Sequence, residues 1–353
     1  MLKQVQHDGE TKPRYASGML SLLSLFFLAA AAAAPRPAEL KTFQDWTVGC
    51  DNGRACHAVA LMPESWPEDG LSMSVRRGAG ATDLPVLGFD VGTESNASSL
   101  TADGKPLPAR LVGREGYIEV AAADAATVIG ALRSASRLEL KAADGKPLGT
   151  VSLKGASAAL LYMDEQQRRI GTATALVRPG NKAGSLPPPP PLPVVVALRK
   201  MSAPGQVPSA AALTALRRRH GCAIDEVGGP EEAEIAALAP GQTLLLLACG
   251  SGAYNVSYVP FILRRGGRAE LAAFDISPGW WDDGKPVLVN AGWNAERGLL
   301  TAFSKGRGLA DCGTGSELAW DGARFRLVQQ EEMDECRGSR DYITTWRARV
   351  VRK

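Results

Sequence analysis

The sequence predicts a mainly β protein with a few short helices, built as two antiparallel β-rich domains (sandwich or meander/open barrel) joined by a polyproline spacer. Three observations carry that expectation. Short apolar or alternating runs recur between clusters of Gly, Pro, Asn and Asp, the rhythm of an antiparallel meander. Six cysteines, Cys50, Cys56, Cys222, Cys249, Cys312 and Cys336, all follow an apolar leader. Residues 185–193 read SLPPPPPLP, and consecutive prolines enter neither a helix interior nor a sheet, because they lack the backbone N–H. Such a run defaults to polyproline II at about 3.1 Å per residue, so Pro187 to Pro193 would span roughly 20 Å. The expected organisation is a leader over 1–38, an N-terminal sandwich-like domain over 40–184, a linker over 185–193, and a C-terminal meander with short helices over 194–353.

Leu20 to Ala34 (LSLLSLFFLAAAAAA) follows Lys12 and Arg14 and precedes Pro35 and Pro37. That order of basic, apolar and small residues predicts a secretory signal peptide cleaved near Ala33–Ala38, with a retained anchor as the alternative. The polar stretch before Ser17 leaves Met19 as an alternative start. The expected location is therefore the periplasm or the exterior of a bacterium, with no membrane span after cleavage. The chain carries a formal charge of +3, and residues 1–38 hold four bases and two acids, so the remainder carries +1. A nearly neutral body gives no electrostatic footprint for nucleic acid.

An even cysteine count in an oxidising compartment reads as disulfides, and six cysteines allow fifteen pairings. Proximity favours Cys50–Cys56, Cys222–Cys249 and Cys312–Cys336, with no bridge across the spacer. No C-x-x-C pair exists, and after the leader only His57 and His220 are histidines, so no metal site and no cofactor are expected.

In chain order, Thr42 to Cys50 alternates and predicts a half-buried strand; Asp51-Asn52-Gly53 is a turn, and Cys56 to Met62 returns. LSMSVRR, LPVLGFDVG and ARLVGREGYIEV read as strands. Asp124 is placed to cap a helix over Ala125 to Ser134. Arg137–Lys141 and Leu148–Leu153 form a hairpin, and 155–169 an amphipathic helix with Ala159, Leu160 and Met163 on one face. DGKP occurs at Asp103, Asp144 and Asp283, where Asp-Gly suits a hairpin turn. After the spacer, Val194 to Lys200 is β-rich, Ser209 caps a helix over Ala210 to His220, and Pro230 to Leu238 reads as a second helix with acids in its first turn. Strands then follow over Thr243–Cys249, Val256–Leu263, Ala269–Asp275, Pro286–Trp293, Gly298–Phe303, Leu318–Trp320, Arg324–Gln329 and Thr344–Val351.

Catalytic motifs are missing. There is no G-x-S-x-G, S-x-x-K or H-E-x-x-H. Gly279 to Lys285 has P-loop spacing, but Pro286 stands where a Ser or Thr would hold magnesium. Two stretches suit contact with a ligand or partner. Lys305-Gly306-Arg307-Gly308 allows close backbone approach beside two cations. If Cys312 bonds Cys336, Arg307 would face the acids Glu331, Glu332, Asp334 and Glu335, as an internal network. Adjacent Trp280 and Trp281 on a Pro-Gly loop cannot easily both be buried, which offers one as a contact for a glycan, peptide or protein.

FQDWTVGCDNGRACHAVALM, ACGSGAYN, KGRGLADCG, WDGARFRL, DECRG and TWRARV together resemble the exported bacterial proteins of domain-of-unknown-function family 1176, in order from about Phe43 to Val350. The N-terminal half, with WTVGC and LEL…DGKPLGTVSLKGASAAL, also resembles the invasion-associated locus B family, which implies a small disulfide-stapled β-sandwich in the periplasm. Neither resemblance brings a catalytic residue. The expected function is an exported envelope protein acting as a non-enzymatic binding module for an envelope protein or glycan. The alternatives are a cell-wall or glycan hydrolase using paired carboxylates from Asp275, Asp282, Asp283, Glu331 or Asp334, and a redox protein using Cys50–Cys56.

Overall fold

In the computed structural model, which describes residues 34–65, 70–92, 97–114, 116–182, 186–201, 205–222, 233–278 and 284–353, the chain is mainly β. Five sheets and three short α-helices occur among the described residues, and no sheet closes into a barrel. Most of the expected leader lies outside the described residues, as do Trp66, Trp280, Trp281, Asp282 and Asp283.

The N-terminal half runs β1 (Lys41–Phe43), β2 (Trp46–Cys50), β3 (Cys56–Ala60), β4 (Ser72–Arg77), β5 (Val86–Asp90), β6 (Ala97–Ala102), β7 (Lys105–Leu107), β8 (Leu111–Arg114), β9 (Tyr117–Val120), α1 (Ala125–Ser134), β10 (Arg137–Ala142), β11 (Pro147–Ser152) and α2 (Ala156–Gln166). One antiparallel sheet has the order β1-β2-β3-β4-β5-β9-β8 and a second the order β11-β10-β6-β7. Between them lies a core containing Trp46, Met73, Phe89 and Ile118 from the strands, with Leu132 of α1 and Leu160 of α2. The Asp103 and Asp144 DGKP segments turn the β6–β7 and β10–β11 hairpins.

Two expectations are corrected here. Thr42–Cys50 is two strands, not one half-buried strand. Gln44 takes a positive φ of 55°, Phe43 pairs with Trp46, and β2 is buried along its whole length because both its faces are covered. Asp124 precedes α1 but does not cap it with its side chain; its carboxylate instead accepts the backbone N–H (2.9 Å) and Nε–H (3.0 Å) of Arg110. Gly155, at φ +93°, starts α2 where a Cβ would stand 1.7 Å from the Phe43 carbonyl oxygen, so the helix seats against β1 only with glycine there.

The C-terminal half runs β12 (Val194–Ala197), α3 (Ala210–His220), β13 (Ala233–Ala239), β14 (Gln242–Ser251), β15 (Val256–Arg264), β16 (Ala269–Leu271), β17 (Leu288–Val289), β18 (Gly292–Asn294), β19 (Leu299–Lys305), β20 (Gly313–Trp320), β21 (Phe325–Met333), β22 (Ile343–Arg347) and β23 (Arg349–Arg352). Strands β13 to β16 follow one another in one antiparallel sheet, with β17 on β15; β18 to β22 do the same in another. Strand β12, directly after the prolines, pairs in parallel with β23. Ser209 caps α3, its Oγ accepting from the Ala212 N–H at 3.2 Å.

The helix expected over Pro230–Leu238 is overturned. Residues 233–239 are strand β13, and 230–232 lie outside the described residues. AEIAALA has helix-favouring composition, but its buried Ala236 and Leu238 are two apart, and pairing with the apolar β14 overrides local propensity. Trp320 is buried against Phe325, and Trp293 and Trp346 pack on the same core. Disulfides join Cys50–Cys56, Cys222–Cys249 and Cys312–Cys336, the pairs that proximity favours.

Candidate functional site: a cleft along the seam

Side chains alternate across a strand. In β2 and β3, Trp46, Val48, Cys56, Ala58 and Ala60 therefore enter the N-terminal core, while Val59 turns the other way. There it meets Leu61, Cys312, Met333 and Ile343 in a small apolar cluster drawn from both halves of the chain. Polar contacts surround this cluster. Asn52 binds Arg347 as a strand neighbour would, its amide donating to the carbonyl (2.9 Å) and accepting from the N–H (2.8 Å). Arg337 donates to the carbonyls of Met62 and Gln44, both at 2.8 Å, and pairs with Asp45.

The segment between β21 and β22 supplies most of these groups. Cys312–Cys336 anchors its start. The Asp311 carboxylate accepts from the Gly338 N–H at 2.7 Å, and the Tyr342 hydroxyl donates to the Ala310 carbonyl at 3.2 Å. Gly338 has φ +80°, and a Cβ there would lie 2.6 Å from Met62 Sδ, so this crossing too depends on glycine.

Beside the seam is a cleft of about 490 Å³ whose walls include Asp51, His57, Arg76, Glu331, Asp341 and Arg347. Arg340 and Tyr342 also line it. Across Arg76, Arg340 and Asp341 lies a second hollow of about 580 Å³, reaching Asp90 and Tyr117. The volume is that of a ligand cleft, roughly 300–1,000 Å³, though the lining is more polar than usual. A larger groove of about 660 Å³ lies between α3 and the β15–β16 hairpin, but it belongs to one half, and its Glu270 is paired with Arg264 and Arg268.

At the centre, Asp341 gathers Arg76, His57 (3.5 Å) and the Tyr117 hydroxyl (3.4 Å). Arg76 also donates from Nε to His57 Nε2 at 3.3 Å and lies 5.7 Å from the Tyr117 ring centroid. Burial lowers the His57 pKa, with the Asp341 contact opposing. Burial pushes the Asp341 carboxyl up, but the His57 contact and the Arg76 charge outweigh it and hold it well below the ordinary carboxylate range. Tyr117 is pushed up to about 12, first by burial and then by Asp341, so it remains a neutral phenol. Ser74 is hydrogen-bonded to Tyr117, not to His57. Burial, followed by the Glu317 charge, raises Glu331.

The sequence-derived residues fall in three places. All six cysteines are bonded, and Cys56 lines the cleft. Lys305 and Arg307 do not line it. Asn255 donates to the Lys305 carbonyl at 2.9 Å, and Arg307 pairs with Asp311 instead of the 331–335 acids. The expected Arg307–acid network is thus corrected: the short reach to Asp311, on the same turn, wins. Glu331 lies in the cleft, Asp334 is exposed, and Asp275 accepts from the Leu327 N–H (3.0 Å), four residues before Glu331 on the same strand and outside the cleft lining. His57, Arg76, Tyr117, Arg340, Asp341 and Arg347 lie in the cleft region without any sequence motif that marks them as site residues. The paired arginines ending β4 and the RDY after the last cysteine were the available signals.

The family model described as "Protein of unknown function (DUF1176)" matches residues 40–349, and the chain belongs to that family. The chain is 29% identical to Uncharacterized protein YpfG of Escherichia coli (strain K12), over 94% of this chain and 99% of that one. A solved structure, invasion associated protein B from Bartonella henselae, aligns with 37% of this chain and 99% of its own at 19% identity, with a TM-score of 0.28.

Proposed function

We propose that this family member is an exported, non-enzymatic binding protein of the bacterial cell envelope, and that the seam cleft is its binding site. One observation carries the reading: the cleft's proton-handling groups are engaged with one another, while its arginines keep donors to spare. Ser74 faces Tyr117, Tyr117 and His57 face Asp341, and Asp341 is held ionised beside Arg76. A nucleophile needs a base able to take its proton, and beside Ser74 stand a neutral phenol and the Asp341 carboxylate, held well below the ordinary range and so a weak base. Three disulfides, together with the leader, support an oxidising compartment. No helix among the described residues is long and apolar enough to cross a membrane.

Two measurements test this. Fractionation with sequencing of the mature N-terminus should find the chain outside the cytosol, cleaved near Ala33–Ala38 and without free thiols; cytosolic, reduced protein would sink the export reading. Incubation with defined cell-wall fragments, followed by mass spectrometry, should return every fragment uncleaved. Turnover abolished by Glu331→Gln would establish the hydrolase instead.

A further inference from the structure

Four arginines border the cleft; Arg77 is buried against Asp164, and the three with exposed side chains are Arg76 from β4, Arg347 from β22 and Arg340 from the segment before it. Each is anchored at one edge. Arg76 is held by His57 and Asp341, Arg340 by Asp90, and Arg347 by Asp51. Their acidic partners are also occupied: Asp51 accepts from the Gly53 (2.8 Å) and Ala55 (2.9 Å) N–H groups, and Asp90 from Gly92 (3.1 Å). Among the described residues, Nη1 of Arg76, Nη1 of Arg340 and both Nη atoms of Arg347 have no acceptor. These side chains are 45%, 62% and 41% exposed while one edge of each guanidinium is held by its anchor. Against them stands one cleft carboxylate with no ion pair among the described residues, Glu331.

We propose that the cleft binds the carboxylate end of its ligand through Arg340, Arg347 and Arg76, with Glu331 accepting from an N–H or O–H beside that carboxylate. The inference rests on the reading of the cleft as a binding site. Pre-anchored guanidinium forks lose little freedom on meeting a planar carboxylate, and they bind it in bidentate fashion. Glu331 and Asp341 in the same walls disfavour a dianion, which selects a carboxylate over a phosphate. The source is either a free amino acid or the C-terminus of a peptide, since both present a carboxylate next to an N–H.

Isothermal titration of the purified full chain tests the inference, with N-acetyl-trialanine, its C-terminal amide, free alanine and inorganic phosphate as probes. The free acid should bind at least about tenfold more tightly than the amide. Arg340→Ala should weaken the acid about tenfold or more while keeping the wild-type circular dichroism, since Arg340 lies at the surface. Glu331→Gln should leave the fold intact and weaken the acid less. Trialanine above alanine assigns a peptide end, and the reverse order a free amino acid. Measurable but equal binding of acid and amide, no binding of any carboxylate probe, phosphate above the acids, or an unaffected Arg340→Ala each overturns the carboxylate assignment. A neutral glycan binding where the acids do not would overturn it too, and would leave the binding reading standing. Cleavage of the tripeptide, with the acid still preferred, would reverse the non-enzymatic reading and leave carboxylate recognition intact.

Discussion

Arg76 and Arg77 are consecutive residues of β4, each paired with an aspartate, and the strand sends them to opposite faces. Arg77 points inward. Its Nε donates to Gln167 (2.6 Å), Nη1 to the Thr174 carbonyl (3.0 Å) and Nη2 to Asp164 (2.7 Å). Asp164 in turn accepts from the Leu176 (2.7 Å) and Val177 (3.0 Å) N–H groups. Neither partner reaches solvent, at 1% and 0% exposure, so this cluster clamps β4, α2 and the following loop. Arg76 points to the seam, reaches across the chain to Asp341 and keeps a spare donor. The same ion pair is a fastening where it is saturated and buried, and a recognition surface where it is anchored but incomplete.

Breaking the buried side of this contrast should have the largest effect. Asp164→Ala strands a buried guanidinium and should cost roughly 3–5 kcal/mol in urea unfolding. A loss under about 1 kcal/mol would put it on the scale of an exposed pair and erase the distinction. At the seam, Asp341→Ala should cost less, roughly 1.5–3 kcal/mol, the range for hydrogen bonds to a charged group that is partly solvated. A cost equal to that of Asp164→Ala would show that the seam is as dry as the core.

The seam face should also answer to pH. Asp341 titrates below its ordinary value of 3.8, so its contribution is whole above that value and lost as the pH falls from there. His57 is lowered from 6.5, so the unfolded chain takes up its proton first and stability declines as the pH drops below 6.5. Tyr117 is raised from 10.0 to about 12, so its contribution is whole below 10 and lost as the pH climbs from 10 towards 12. Unfolding followed across pH should therefore show a plateau between about 6.5 and 10. Tyr117→Phe should remove its alkaline share of the decline; an unchanged alkaline limb would show that another group controls it. The smallest expected effect is on the stability of Arg340→Ala, under about 1 kcal/mol for so exposed a pair. A larger loss would make Arg340 a fastening like Arg77.

Much of the fold could be read from local pattern. The hairpins at Asp103 and Asp144, α1, α2, α3 and the strands of the C-terminal meander follow from turn residues and apolar period. Where pattern misled, a distant partner had intervened. AEIAALA became a strand because β14 offered it a ladder, and β2 became wholly buried because the C-terminal half covers its second face. The cleft was less legible. Glu331 is among the carboxylates the sequence offers, but its neighbours in the walls come from positions 51 to 77 and 340 to 347. Lys305 and Arg307, prominent in sequence for their flanking glycines, serve to brace the crossing segment through Asp311.

By itself the sequence determined the β character, the local disulfides and the family likeness, because each depends on residues close together or on composition. Only the tertiary structure decided which of two adjacent arginines is sealed and which is offered to a ligand. Strand alternation sends them apart, but which face becomes core and which becomes seam depends on the packing of α2 and β22, elements that lie about 90 and 270 residues away.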